Sequence, residues 1–263
     1  MSCDPESKWT EIELLPEWDE EFYDVYTAKK FGKWLMLKTL KPQYKSDPMF
    51  RSMIEKEFDV RYNLAHPNIV MINDFEEVPG LGMCIIADDV YGLSLKKILD
   101  SGDVTGEHLD KVCHQLVDAI DYIQHNHLVH FPIKPETIIF TENIGNLKLI
   151  DVGFDQREHL TPAEATEDIY SFGVILRLVL ERLPDAPAYL RRVADRCCNP
   201  DPSQRYKNIH QLRMAIAHRS DNKFYMYIIA FLLVMMALLV WFSSSWAPGS
   251  DSIETEVPET VAR

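Results

Sequence analysis

Two groups of side chains in this 263-residue chain are of types that can bind metal or undergo redox chemistry. His125, His127 and His130 lie within "HNHLVH" and could form a metal site. Their spacing is not the i, i+4 pair of a helical metal site and no fourth ligand is evident, so metal binding is disfavoured. The vicinal pair Cys197–Cys198 could be redox-active. It lies on the apolar face of a predicted helix, which favours core packing.

A carboxylate in an apolar pattern is more informative. Apolar residues recur at three- and four-residue steps between Phe50 and Leu64, which predicts an amphipathic helix. Glu57 lies on or beside the apolar stripe of this helix. Carboxylates are almost never buried without a partner, so we expect Glu57 to have a cationic neighbour.

The elements that must position these residues fall into two lobes. Residues 10–90 are predicted to form short strands around this helix, including the apolar runs "WLMLKTL" and "GMCIIAD". Residues 91–218 are mainly helical, with an amphipathic stripe at 109–123 and a helix at 169–180 that is apolar nearly all round. "TIIF" and "LKLI" predict a small hairpin between these helices. A strand-rich lobe followed by a helical lobe, with a cleft between them, is an α+β fold.

Residues 224–242 form an uncharged, proline-free segment after a short polar link, residues 219–223. Their length suits the ~20 residues that cross a ~30 Å hydrocarbon core. Basic residues precede this segment and acidic residues follow it, so the positive-inside rule places the domain in the cytoplasm and the C-terminal tail on the other side. The sequence predicts a single-pass membrane protein whose acidic tail, residues 243–263, is disordered. A buried core helix is the less favoured alternative.

Composition narrows the function classes further. The formal net charge of −14 argues against a nucleic-acid partner, which would require a basic face. The 5 cysteines are an odd number, and the short N-terminal tail, residues 1–9, has no apolar core of a secretory leader. A disulfide framework is therefore not expected, and a reducing compartment is favoured.

Five sequence motifs occur in the order in which protein kinases carry them. "LAHPNIV" resembles the segment after the kinase αC helix, "LVHFPIKPETIIF" the catalytic loop and "LKLIDVG" the magnesium-binding motif. "EDIYSFGVIL" resembles the start of the αF helix, and "NPDPSQRY" the late motif with a buried arginine. Residues 10–218 therefore resemble the protein kinase superfamily, of the serine/threonine type. The resemblance implies a bilobal fold with a small β-rich lobe that carries αC, and a mainly helical large lobe.

The resemblance assigns roles to individual residues. It implies that Lys38 binds the ATP phosphates and pairs with Glu57, that Asp151 ligates Mg²⁺, and that Lys134 lies near the γ-phosphate. Other implied cofactor-binding positions are Val25, Met36, Asp88 and Val90, with Ala87 at the gatekeeper position. Structural roles are implied for His130, for Asp168, and for Glu164 and Arg205, which are expected to form a pair.

The catalytic loop departs from the kinase pattern. Pro132 stands where an aspartate would accept the proton of the attacking hydroxyl, and proline has no base to offer. Thr137 stands where an asparagine would supply a second metal ligand, and a neutral hydroxyl is a poor ligand for Mg²⁺. No residue can be assigned with assurance as catalytic.

The phosphate-binding loop departs as well. The segment before Val25 contains no glycine, so its backbone amides are not expected to close over phosphates. Its acidic residues, Asp19, Glu20, Glu21 and Asp24, would repel a polyanion. Met36 replaces a small residue and is expected to point into the adenine slot. Only a short segment separates Asp151 from Glu164 in place of an activation segment.

Three hypotheses remain open. The favoured one is a membrane-anchored pseudokinase that acts as a scaffold or nucleotide-responsive module for an unidentified cytoplasmic protein partner. The first alternative is a divergent active serine/threonine kinase that transfers the ATP γ-phosphate to protein, and the second is a sensor that binds ATP without transfer. ATP and Mg²⁺ are the implied cofactors, but the lost residues argue against their use. The retained Lys38, Glu57 and Asp151 fit either residual nucleotide binding or a structural role.

Overall fold

A computed structural model of the chain describes residues 8–18, 20–129, 133–142, 145–150 and 155–245. The chain divides into two compact units, Met1–Ile216 and Ala217–Arg263. In the first unit a five-stranded sheet and one long helix are followed by a mainly helical part. This is the predicted bilobal α+β arrangement.

The small lobe is built on an antiparallel sheet with the strand order β1-β2-β3-β5-β4. The strands are β1 (Trp9–Leu14), β2 (Tyr23–Lys30), β3 (Lys33–Leu40), β4 (Ile72–Val78) and β5 (Gly82–Asp88). Val25 lies directly opposite Lys38, and Met36 lies opposite Ala87. Because Met36 and Lys38 are two residues apart on one strand, all four side chains emerge from the same face of the sheet.

The helix of the small lobe, α1 (Pro48–Arg61), carries the predicted apolar stripe. Asp47 caps its first turn by accepting a hydrogen bond from the Met49 backbone, and proline at the first helical position needs no such partner. Ile54, Glu57 and Arg61 are the buried residues of this helix. Glu57 and Arg61 are four residues apart, so their side chains lie on the same helix face.

The large lobe begins with β6 (Gly92–Ser94) and α2 (Leu95–Ser101). The predicted stripe at 109–123 falls on α3 (Gly106–Lys111), a π-helical segment (Val112–Leu116) and α4 (Val117–His125), which follow one another directly. The short strands are β7 (Leu128–Val129), β8 (Ile138–Thr141), β9 (Leu147–Leu149) and β10 (Asp155–Gln156). β8 and β9 pair antiparallel as the predicted hairpin, and β7 pairs with β10.

The central helix of the large lobe is α5 (Pro162–Glu181), which packs on α6 (Ala188–Cys197). Gly173 of α5 lies so close to α6 that an added Cβ would come within 2.4 Å of the Cys197 Cβ and 2.9 Å of the Cys198 sulfur. The two cysteines are thus packed against the central helix as free thiols, in agreement with the packing role favoured by the sequence.

The last helix is α7 (Ile209–Ser245), and its backbone remains helical through residues 219–223, where the sequence predicts a polar link. Large apolar side chains between Tyr227 and Phe242 are exposed. Among the residues that the structure describes, no helix combines the length and apolarity needed to cross a membrane. Residues 246–263 of the predicted tail and residues 1–7 of the N-terminal tail lie outside the described ranges.

Candidate functional site

A buried charge cluster joins β3 to α1 at the centre of the small lobe. The Lys38 Nζ lies 3.0 Å from the Glu57 Oε1, and the same carboxylate oxygen accepts a hydrogen bond of 2.7 Å from the Arg61 guanidinium. The Glu57 side chain is only 1% exposed, so it requires the cationic neighbour expected from the sequence. The predicted Lys38–Glu57 pair is confirmed.

Arg61 is a member of this cluster that the sequence analysis did not identify. Its guanidinium also donates to the backbone carbonyl of Ile150 at 3.0 Å. Ile150 directly precedes Asp151, which lies outside the described residues. The cluster therefore extends from β3 through α1 to the chain entering the predicted magnesium motif. The four-residue spacing from Glu57 was the sequence signal for this contact.

A second carboxylate reaches Lys38 from the loop between β1 and β2. The Glu20 Oε2 lies 2.8 Å from the Lys38 Nζ. The sequence predicts that this acidic loop repels a polyanion, and the structure shows that one of its carboxylates binds the lysine assigned to the phosphates. Asp19 lies outside the described residues.

Backbone hydrogen bonds fix the conformation of this loop. The Leu15 amide donates to the Val25 carbonyl at 2.8 Å, and the Glu20 amide donates to the Tyr23 carbonyl at 3.3 Å. Between them a 3₁₀ turn, Pro16–Trp18, takes the place of an extended glycine-rich segment. The loop is therefore folded on itself.

Aromatic packing holds the same loop against α1. The Phe22 ring centroid lies 5.5 Å from that of Tyr44 and 5.1 Å from that of Phe50, distances typical of favourable aromatic pairs. Tyr23, the next residue, places its ring 4.3 Å below the Lys38 ammonium, a cation–π contact. Burial, reinforced by the Glu57 carboxylate, raises the pKa of Tyr23, so its hydroxyl stays neutral at physiological pH.

The predicted adenine-binding residues are packed against each other. Val25, Met36, Ala87 and Val90 belong to one buried apolar cluster together with Ile139 of β8, in the large lobe. None is more than 8% exposed. Leu15 and Trp18 of the β1–β2 loop pack against the same cluster. Met36 is thus packed among the other residues assigned to the slot, and these side chains expose little apolar surface. That Met36 points into the adenine slot remains a prediction.

Asp88 directs its side chain to neighbouring strands. Its carboxylate accepts hydrogen bonds of 2.9 Å from Lys33 and from Asn73. Burial alone would raise the pKa of Asp88, but these two donors outweigh it and hold the pKa below its ordinary value. The Asp88 amide donates to the Met71 carbonyl at 3.0 Å. A cofactor contact of Asp88 remains a prediction.

In the catalytic loop the structure describes only part of the predicted site. His130 and Pro132 lie outside the described residues. The Thr137 hydroxyl donates to the Lys134 carbonyl at 3.0 Å and accepts from the Lys134 amide at 3.4 Å, so it closes the 3₁₀ turn Pro135–Thr137. The Lys134 side chain is exposed. Thr137 thus has a local structural role, independent of any metal.

One predicted pair in the large lobe is wrong. Arg205 pairs with Glu167, at 3.2 Å, and not with Glu164. Glu164 accepts hydrogen bonds of 2.8 Å from the amide and the hydroxyl of Thr161, and lies 3.3 Å from Arg157. A carboxylate in the first turn of a helix is stabilised by the free amides there, so Glu164 caps α5, whereas Glu167 lies nearly one turn further along.

Asp168 has the buried structural position expected of it. Its carboxylate is in a residue only 6% exposed and accepts a hydrogen bond of 2.8 Å from the Gln124 amide group. Burial raises the pKa of Asp168 to about 7, because within the described part of the chain no cation offsets the loss of solvation.

The described residues do not fit ATP in this arrangement. The lysine assigned to the phosphates is bound by Glu20, and the side chains assigned to the base are buried together in one apolar cluster. Placing a nucleotide here would require both sets of contacts to open.

Comparison with known proteins identifies several relatives of this chain. PrkC, a serine/threonine-protein kinase of Bacillus subtilis, is 28% identical over 188 residues, which cover 61% of this chain and 29% of the relative. A probable serine/threonine-protein kinase of Clostridium acetobutylicum is 23% identical over 242 residues, covering 73% of this chain and 36% of the relative. The chain thus spans less than two fifths of the length of these relatives.

Solved structures agree with the fold. The PknI kinase domain of Mycobacterium tuberculosis aligns with a TM-score of 0.60 and 22% sequence identity, over 81% of this chain and 96% of the PknI domain. The family model for the protein kinase domain matches residues 21–184, more than half of the chain. The chain therefore belongs to the protein kinase family.

Proposed function

We propose that this kinase domain is a pseudokinase, a binding module that does not transfer phosphate. The observation that carries the proposal is the packing of the adenine slot. Val25 and Met36 from the small lobe and Ile139 from the large lobe are buried in one apolar cluster, at 3%, 8% and 1% exposure. A cleft that accepts a purine would leave these side chains accessible when empty.

The sequence supports the same conclusion independently. Pro132 cannot act as a general base, and the loss of such a base typically lowers a rate by about 10²–10⁴-fold. The glycine-free loop cannot wrap phosphates with its amides. These losses and the filled slot affect separate requirements of phosphoryl transfer: proton removal, phosphate positioning and nucleotide binding.

An active serine/threonine kinase is the second candidate. The curated relatives bear the names of serine/threonine-protein kinases, and the Lys38–Glu57 contact of 3.0 Å retains the geometry that the kinase resemblance assigns to phosphate binding. If a nucleotide opened the cleft on binding, the Lys38–Glu57 pair would already have the geometry for phosphate binding. The charged cluster alone does not separate the two candidates.

We also propose that the chain is anchored in a membrane through residues 224–242, with the kinase domain in the cytoplasm. The proposal rests on the uncharged sequence of this segment and the basic residues before it, and not on the described helices, none of which meets the length and apolarity of a span. Large side chains along α7 support it, such as Phe231 and Trp241, which are 65% and 67% exposed. A large exposed apolar surface of this kind is typical of a site that contacts lipid or protein. The anchored domain would bind a cytoplasmic protein close to the bilayer.

A phosphotransfer assay tests the first proposal. The purified full chain, in detergent or nanodiscs, is incubated with γ-labelled ATP, Mg²⁺ and a generic protein substrate. We expect label incorporation, including self-labelling, to equal that of Asp151→Ala. Incorporation by the wild type that disappears in Asp151→Ala would establish the active kinase instead.

Liposome flotation tests the anchor. We expect the full chain to float with liposomes and to resist extraction by alkaline carbonate, and a variant without residues 224–242 to stay in the soluble fraction. Extraction of the full chain by carbonate would contradict a membrane span.

A further inference from the structure

We infer that Glu20 is an intramolecular competitor of phosphate for Lys38, so that this residue decides whether the cleft binds anions. The inference rests on the proposed function and extends it, because it concerns the phosphate half of the same cleft. The kinase resemblance implies that the β1–β2 loop binds phosphate. The inference is that the loop instead excludes phosphate from Lys38.

The contact geometry places Glu20 where a phosphate oxygen would bind. The Lys38 ammonium has three donors. Glu57 occupies the α1 side of the ammonium at 3.0 Å, and Glu20 approaches from the loop at 2.8 Å. A carboxylate oxygen at this distance supplies the same charge sign and hydrogen-bond acceptor as a phosphate oxygen. Lys38 is therefore already bound by a negatively charged group, the Glu20 carboxylate, without a phosphate ligand.

The loop is organised to deliver this carboxylate. The hydrogen bond of 2.8 Å between Leu15 and Val25 closes the base of the loop. Phe22 packs on Phe50 of α1, with ring centroids 5.1 Å apart, and so fixes the residue two positions beyond Glu20. Because both flanks are anchored, the Glu20–Lys38 contact has a high effective concentration that a dissolved anion must exceed.

The two carboxylates on Lys38 differ in how easily they can be displaced. The Glu57 side chain is 1% exposed and also bound to Arg61, whereas the Glu20 side chain is 36% exposed. Solvent screens the exposed pair and can replace its hydrogen bond, so it contributes less than the buried one. Removing Glu20 therefore takes away the more exposed of these two carboxylates from Lys38, while the buried pair stays intact.

Binding of inorganic tripolyphosphate and of adenosine tests the inference, since each ligand probes one half of the cleft. Calorimetry is performed on the full chain, wild type, Glu20→Ala and Glu20→Gln, the last of which keeps the side-chain shape. Glu21→Ala is the matched control, because it removes the same charge from an exposed position in the same loop. The double variant Glu20→Ala/Lys38→Met removes the proposed binding group.

We expect at least tenfold tighter tripolyphosphate binding in both Glu20 variants than in the wild type, and loss of this gain in the double variant with Lys38→Met. Glu21→Ala should remain within about twofold of the wild type, and adenosine should not bind better to any of these variants. An equal gain in Glu21→Ala, or no gain in either Glu20 variant, overturns the inference.

The result separates the inference from the proposed function. A wild type that transfers label while the Glu20 variants still gain tripolyphosphate affinity would refute the pseudokinase and leave the competitor role standing. An inert wild type whose Glu20 variants gain nothing would refute the competitor role and leave the pseudokinase standing.

Discussion

The two halves of the cleft are closed by different physical means. In the adenine half, Met36 is 8% exposed and packs with apolar neighbours from both lobes. In the phosphate half, Lys38 is closed off by Glu20, whose side chain is 36% exposed. Opening the apolar half creates a cavity, whose cost grows with its volume. Opening the charged half creates no cavity, because a phosphate replaces the Glu20 carboxylate at Lys38.

Under the proposed function, the difference implies that nucleotide binding can be lost while the charged residues are kept. Lys38 and Glu57 remain because they form, with Arg61, the buried connection between β3, α1 and the chain at Ile150. Breaking a buried charge cluster by removing one member leaves uncompensated charge behind. These residues can therefore be retained for stability after their role toward a ligand is lost.

The largest expected effect is on the charged half. Glu57→Ala leaves Arg61, which is 5% exposed, without its carboxylate, and should lower the free energy of unfolding by about 3–5 kcal/mol. Chemical denaturation of the full chain measures it. Glu55→Ala, at an exposed position of the same helix, should change stability by less than about 0.5 kcal/mol. Equal effects of the two variants would show that the buried cluster does not support the lobe.

A smaller effect is expected in the apolar half. Met36→Ala should destabilise the protein by about 2 kcal/mol, because it leaves a cavity in the buried cluster. The same variant should gain measurable adenosine binding, since the cavity lies where the base would sit. Met49→Ala, at a methionine that is 66% exposed, is the control and should change neither quantity. Met36→Ala without adenosine binding would mean that the cluster collapses instead of opening.

A second buried carboxylate, that of Asp168 outside the cleft, has no offsetting cation within the described part of the chain, and this predicts a pH dependence of stability. Burial raises the pKa of Asp168 to about 7, from 3.8, so the folded state favours the protonated form. Folding then takes up a proton between these pH values. The free energy of unfolding should fall as pH rises from about 4 to about 7, by at most about 1.4 kcal/mol per pH unit, and level off above. Asp168→Asn should flatten this slope, and an unchanged slope would assign it to other groups.

The sequence was sufficient for the fold because its periodicities and its kinase motifs agree. The apolar run "GMCIIAD" is β5 itself, and the stripe around Glu57 falls on α1. Within the site, the pairing of Glu57 with Lys38 was predictable because a buried carboxylate needs a cation. The burial of Met36 among apolar neighbours is compatible with the prediction made from its size, but a filled slot remains a prediction.

Other contacts depend on geometry that the sequence does not encode locally. The position of Glu20 follows from a turn whose flanks are fixed by Val25, which is near in the chain, and by Phe50, which lies in the following helix α1. From the negative charge of the loop, the sequence analysis predicted that it repels a phosphate ligand. It did not predict that Glu20 forms an ion pair with Lys38. The choice of Glu167 over Glu164 as partner of Arg205 is decided by which of two carboxylates caps α5. Glu164 and Glu167 lie nearly one helical turn apart on α5, so the sequence pattern alone fits a pair of Arg205 with either of them.

The most direct test of the account is whether opening both halves of the cleft creates a nucleotide site. ATP with Mg²⁺ is titrated into the wild-type chain and into Glu20→Ala/Met36→Ala, and thermal stability is measured. We expect no saturable stabilisation of the wild type, and stabilisation of the double variant that approaches about 2.7 kcal/mol at 100-fold excess over its dissociation constant. Saturable stabilisation of the wild type by ATP, equal to that of the double variant, would contradict the claim that the chain's own side chains occupy this cleft.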